Sequence, residues 1–376
     1  MLKILLIFFI FLVFNIIHKK KDFFYSKINL FNIDLHISVI EDFKNIINKI
    51  SHIKVNDYSI SGHHAIMNKI LSQNYHIKKN NWKQILNNDK ELDLFYIKHK
   101  EELKKYQGFV VTHTPSFILL YEKFKKPIIL INSCRYENPF QNNIKKWNKL
   151  SQKLKKLNKN KLLYIVSNNK ADMDYLYLGT GIKSVHIPSL CLYIDKNYKG
   201  NKNKLLIIDR FNIIKENDLM IKKKNALKKG YKNEDLLEFK GIVHIPYEIS
   251  TMSIFEQYSC NIPLFFPSKN FLYQLIKENK IKLQSKYSKI YPITFKNPLQ
   301  NNKDFSFWVE RADFYDIENM KYITYFDSIE HLNYLLKNSN YTQISKNMEK
   351  HNKLRKTKCL EKWKQLIKKV FPETIN

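Results

Sequence analysis

Apolar residues along this chain fall into short, nearly continuous runs separated by longer stretches with helical spacing. The runs are Gly108 to Val111, Pro127 to Ile131, Leu162 to Val166, Leu205 to Ile208, Gly241 to Ile245 and Ile262 to Pro267. Runs this short and this apolar predict strands buried on both faces, as in a parallel sheet covered by helices. Between them, Ile40, Phe43, Ile46, Ile47 and Ile50 form one stripe of a helix over Val39 to Ile50. Trp147, Leu150, Leu154 and Leu157 mark a second helix, and residues 172–178 a third. Ser116 to Phe124 reads as a helix with Pro115 near its first turn. Tyr341 to Val370 predicts a long terminal helix, with Leu354, Leu360, Trp363, Ile367 and Val370 available for docking. Ile33 to Ser38 alternates and predicts a strand, as does Lys183 to Tyr193; Ser61-Gly62-His63-His64 predicts a polar turn.

Strands alternating with helices twice over predict an α/β protein with two Rossmann-like domains, their parallel sheets facing a central cleft. A polar, charged stretch at Asp195 to Lys204 is the expected linker. The first domain is then 30–196, the second 203–340, and the terminal helix lies within 341–376. Residues 1–22 predict an N-terminal hydrophobic anchor with a basic flank. Ile4 to Ile17 is apolar except for Asn15, and His18-Lys19-Lys20-Lys21 follows. That run is roughly 21 Å long as a helix, somewhat short of a comfortable span. No small-residue cleavage site follows it, so an uncleaved membrane anchor is expected, with its orientation open.

In open α/β sheets, ligands bind beyond the carboxyl ends of the strands. The residues placed there are His113, Arg135, Asn168, Arg210, Glu248 and Ser268. Residues 247–268 carry the most pattern: a strand, then Glu248, a loop with Ser250, Thr251, Met252 and Ser253, a helix bearing Glu256, an Asn-Ile-Pro turn and an apolar strand. Seven residues separate Glu248 from Glu256.

This segment resembles the E-x7-E region of GT-B glycosyltransferases. The resemblance implies that the loop and helix start hold the diphosphate of a nucleotide-sugar. It implies that Glu256 binds the donor ribose and that Glu248 lies near the donor sugar. The physics is consistent, because a helix start offers free N–H groups and the positive end of the dipole to phosphate. Ile249 and Ser250 stand where the family usually has glycines. Arg210 and Lys215, five residues apart after a strand, resemble a family pair that neutralises the departing diphosphate. In the first domain, Thr112-His113-Thr114-Pro115 presents a base toward an acceptor hydroxyl in an inverting enzyme, or a contact to the donor sugar in a retaining one. Arg135, Glu137 and Asn168 are acceptor-side candidates, with Arg135 and Glu137 placed so that either substrate, acceptor or donor, is within their reach. The expected activity is sugar transfer from the nucleotide-sugar to a glycan, lipid or protein acceptor; the resemblance implies retention, and the lack of a DxD-like pair at a strand end implies that no metal is required.

Composition narrows the alternatives. Only 7 glycines occur among 376 residues, and neither GxxxxGK[ST] nor GxGxxG is present. Gly179 and Gly181 form a lone GxG that reads as a turn. Cys134, Cys191, Cys260 and Cys359 lie far apart in apolar surroundings, so buried free thiols are expected rather than a disulfide or zinc framework. The formal net charge is +31, from 65 Lys+Arg against 34 Asp+Glu. It suggests an anionic membrane surface as a partner, notably for the lysine-rich helix between Lys145 and Lys161. The scarcity of Arg argues against specific nucleic-acid readout. A membrane-attached polyanion binder and an inactive scaffold of the same fold are the competing readings.

Overall fold

The computed structural model describes residues 28–61, 75–228, 230–283 and 306–372. The expected anchor and the turn at Gly62-His63-His64 lie outside them. Among the described residues, no helix is long and apolar enough to cross a membrane.

The chain builds two sheets. The first contains β1 (Asn29–Asn32), β2 (Lys54–Asp57), β3 (Gly108–Val111), β4 (Ile128–Asn132), β5 (Leu163–Ser167) and β6 (Val185–His186), in the order β2-β1-β3-β4-β5-β6. The second contains β7 (Leu205–Asp209), β8 (Met220–Lys222), β9 (Ile242–Ile245), β10 (Leu264–Pro267) and β11 (Thr324–Phe326), in the order β11-β10-β9-β7-β8. Every strand pairing among the described residues is parallel. Every residue of β3, β4, β9 and β10 is buried, which is why their sequences are apolar runs rather than alternations. In both sheets the order reverses beside the first strand. The resulting crevices, between β1 and β3 and between β7 and β9, are where such folds bind ligands.

The helices that frame these crevices are α1 (Ile37–Ile50), α2 (Asp89–Leu103), α3 (Ile144–Lys159), α4 (Lys170–Thr180), α5 (Met252–Ser259), α6 (Lys269–Lys277), α7 (Ile329–Asn338) and α8 (Tyr341–Val370). Helix α8 crosses from the second sheet back to the first. Trp363 packs on Phe43 of α1 with ring centroids 5.2 Å apart. Arg355 is buried in the crossing and donates to Ser189 O (3.1 Å), Ser259 Oγ (2.9 Å) and Asn352 Oδ1 (3.1 Å). Asp42 of α1 accepts the Leu190 amide at 2.9 Å from the other side of the same connecting segment. Buried charge and hydrogen bonding thus fasten the link between the sheets from both lobes.

Three expectations need correction. Ile33 to Ser38 is not a strand: the strand ends at Asn32 and α1 begins at Ile37. The Asp34 carboxylate accepts the Leu35 amide at 2.6 Å and folds the chain out of extension. Of Lys183 to Tyr193, only Val185 and His186 pair as a strand, because Asp42 and Arg355 take the backbone groups that follow. The helix over 116–124 is broken into a four-residue α turn, Ile118–Tyr121, flanked by two 3-10 turns. The cysteines are free and buried. Gly181, at φ 72°, ends α4 by donating to Tyr177 O at 2.7 Å, so the lone GxG is a helix terminus.

Candidate functional site

The crevice of the first sheet is organised by Asp34. Directly after β1, its carboxylate is buried and accepts the amides of Thr112 (2.7 Å) and His113 (3.0 Å) at the end of β3. Burial outweighs these bonds and pushes its pKa up to about 6. The bonds fix the loop that carries His113. The imidazole Nδ1 lies 2.9 Å from Thr114 Oγ1. Burial, then nearby His36 and Arg135, hold its pKa well below the usual value, so the ring is neutral at physiological pH. With Nδ1–H donating to Thr114, Nε2 carries the lone pair of a base. His36 stands beside it, ring centroids 5.1 Å apart. The sequence reading missed Asp34 and His36, and the expected strand over 33–38 is the reason. A polar Asp-x-His ending a strand at a switch point is the signal that was available.

In the second sheet, the Asp209 carboxylate accepts the amides of Phe211 (2.7 Å) and Ile214 (2.8 Å) and shapes the loop after β7. Arg210 is exposed there, its guanidinium carbon 3.4 Å from the centroid of the Tyr247 ring. That stacking ties the end of β7 to the end of β9 across the crevice. Lys215 is exposed on the same loop. Glu248 follows, and Thr251 is the N-cap of α5. The Thr251 hydroxyl makes no cap hydrogen bond and instead lies 3.0 Å from Ser253 Oγ. No side chain caps the start of α5, although the Ile254 amide donates to Thr251 O at 3.1 Å, so its dipole end stays open to another acceptor.

The two crevices meet. Arg135, just beyond β4, has Nη1 3.8 Å from Asp172 Oδ1 of its own lobe and 3.9 Å from Glu248 Oε1 of the other. Asn168, beyond β5, contacts Met252 at the start of α5, with Nδ2 4.0 Å from Sδ. The sequence assigned Arg135 and Asn168 to one substrate and Glu248 and Met252 to the other; the structure places all four at one junction. Further along the same side, Lys170 pairs with Asp316 at 3.0 Å and Arg311 with Asp174 at 2.5 Å, holding the lobes together.

The junction is acidic beneath and cationic at its lip. Burial raises Glu248 to about 6, opposed by Arg135, and raises Glu137 to about 7. Asp172 is raised by burial and Asp313 well above the usual range, the latter despite a hydrogen bond from Ser250. Glu137 is fully buried, and Tyr175 donates to it at 3.1 Å. Glu256 is also partly committed. Its carboxylate accepts Tyr193 Oη at 2.5 Å, and Ser38 and Asn233 also bond to it, while burial raises its pKa. His244 is buried in the core against Phe266, with Nε2 2.7 Å from Gln257 Oε1. Among the described residues no cluster of three His, Cys, Asp or Glu side chains could hold a metal ion.

No protein-family model matches this sequence, and no curated protein matches it. Among solved structures, the glycosyltransferase SnogD from Streptomyces nogalater aligns over 91% of this chain and 99% of its own, at 8% identity and a TM-score of 0.43. Spinosyn rhamnosyltransferase SpnG complexed with thymidine diphosphate aligns over 87% and 96%, at 8% identity and 0.41. The calicheamicin glycosyltransferase CalG4 aligns over 92% and 99%, at 8% identity and 0.39. At that identity and those scores they decide no residue's role.

Proposed function

We propose that this protein is a GT-B glycosyltransferase that moves a sugar from a nucleotide-sugar donor to an acceptor entering from the first lobe. The observation that carries the reading is the junction itself: Arg135, just beyond β4, lies 3.9 Å from Glu248, which leads from β9 into the uncapped start of α5. A departing diphosphate needs stabilisation as its charge develops. The amides of Met252 and Ser253 at the start of α5, the hydroxyl pair of Thr251 and Ser253, and the guanidinium groups of Arg135 and Arg210 supply it, while Ser250 stays bonded to Asp313. Of the two substrates open to Arg135, this assigns it the donor phosphates. Its guanidinium lies 3.8 Å from Asp172 and 3.9 Å from Glu248, at the meeting point of the two lobes where a phosphate would be held. Neutral His113 accepts the proton of the acceptor hydroxyl, in the inverting form of the reaction, and Glu248 lies beside the donor sugar.

Titration calorimetry with a panel of nucleoside diphosphates tests the reading. One base is expected to bind at micromolar affinity, about −8 kcal/mol. Glu256→Ala is expected to weaken that ligand by about tenfold, and Glu256→Gln by less, because the amide still accepts one ribose hydroxyl. A variant that melts earlier yet binds the nucleotide like the parent would make Glu256 a structural anchor for Tyr193 alone.

A further inference from the structure

We propose that the strand-start end of the first sheet docks on an anionic lipid bilayer. Because its strands are all parallel, their amino ends lie along one edge, opposite the crevice that holds Asp34 and His113. The residues that open these strands are strongly basic. Lys54 begins β2, Lys104 and Lys105 precede β3, Lys125 precedes β4, Lys161 precedes β5 and Lys183 precedes β6, and all of them are exposed. Glu101 pairs with Lys104 at 3.1 Å and Tyr75 engages Glu102, which accounts for the acids at the end of α2.

Two other parts of the chain arrive at this edge. The end of α8 does so: a Cβ placed on Gly108, the first residue of β3, would lie 3.1 Å from the ring of Phe371. The exposed Lys368 and Lys369 in its last turn therefore extend the same basic face. The described chain also begins here, at Ile28 beside β1. The sequence preceding it holds the apolar run Ile4 to Ile17 and the cluster Lys19-Lys20-Lys21.

Lysines spread over the width of a six-stranded sheet, roughly 25 Å, suit a plane of diffuse negative charge. They are point charges without the planar fork that reads phosphate or base edges pairwise, which favours a headgroup surface over a nucleic acid. Docking this way leaves the carboxyl-end cleft open to donor and acceptor. The face is independent of the nucleotide site, and its failure would leave that reading intact.

The test is flotation of the full chain with vesicles of phosphatidylcholine alone and of phosphatidylcholine with phosphatidylglycerol, across a salt series. Binding is expected to be strengthened by the anionic lipid, beyond any insertion of the apolar run Ile4 to Ile17 into neutral vesicles, and that gain is expected to weaken as salt rises. The fourfold variant Lys105→Glu, Lys125→Glu, Lys161→Glu, Lys183→Glu is expected to lose about tenfold or more in partitioning to anionic vesicles. A control with the same charge change in the second lobe, Lys224→Glu, Lys277→Glu, Lys337→Glu, Lys346→Glu, is expected to bind like the parent. Equal losses in both variants, equal binding to neutral vesicles, or retention of oligonucleotide but not vesicles would each overturn the proposal.

Discussion

Asp34→Ala is expected to destabilise the protein by about 2–4 kcal/mol, because it strips partners from the buried amides of Thr112 and His113 and from that of Leu35. The loss has a pH signature. Asp34 has its pKa raised to about 6 by burial, so the folded state favours the protonated carboxyl. The stability this contributes is fully present below the unfolded value of 3.8 and is lost as pH rises through about 6. The gap between parent and Asp34→Ala should therefore widen as pH falls from 7 toward 5. Urea denaturation of both proteins at the two pH values measures it. A gap that is constant, or that narrows on acidification, would show that the carboxyl is not held as described. Asp34→Asn should not rescue the loop fully, since its one carbonyl oxygen cannot accept all the amides and its NH₂ faces donors.

His113→Ala is expected to slow sugar transfer by about 10²–10⁴-fold while leaving nucleotide affinity nearly unchanged. The reason is positional: His113 ends β3 of the first sheet, whereas the proposed phosphate site is the first turn of α5 in the second. Its imidazole is neutral at physiological pH because burial and the neighbouring His36 and Arg135 oppose protonation. It can therefore accept a proton without first losing one. Steady-state transfer and calorimetry on the same variant separate the two effects. An unchanged rate would remove His113 from the reaction, and a parallel loss of affinity would make it a donor contact.

Much of the fold was legible because burial on both faces writes itself as apolar runs. β3, β4, β5, β7, β9 and β10 were found within a residue or two, and α8 at the same limits. What escaped had weak patterns. β2 reads Lys-Val-Asn-Asp at a sheet edge, exposed or half-buried throughout. Helix α2 turns Leu94 and Ile97 outward, at 50% and 64% exposure, which blurs its stripe. The site was legible as a set of strand ends but not as a set of pairings. Sequence spacing placed Arg135 and Glu248 in different lobes; the crossing of α8, the ion pairs of Lys170 and Arg311 and the packing of Tyr175 on Trp308 bring those ends together. The burial of Glu137 and the commitment of Glu256 to Tyr193 are likewise consequences of packing.

The proposed donor site sets a diphosphate between Arg135 and the start of α5. Calorimetry on the parent and Arg135→Ala, each titrated with the preferred nucleoside diphosphate and with its bare nucleoside, tests it most directly. A charge-assisted hydrogen bond of about 1.5–3 kcal/mol predicts that the diphosphate weakens by roughly ten- to a hundredfold in the variant while the nucleoside binds equally to both. Diphosphate binding that is unaffected by the loss of Arg135, or absent from the parent, would contradict it.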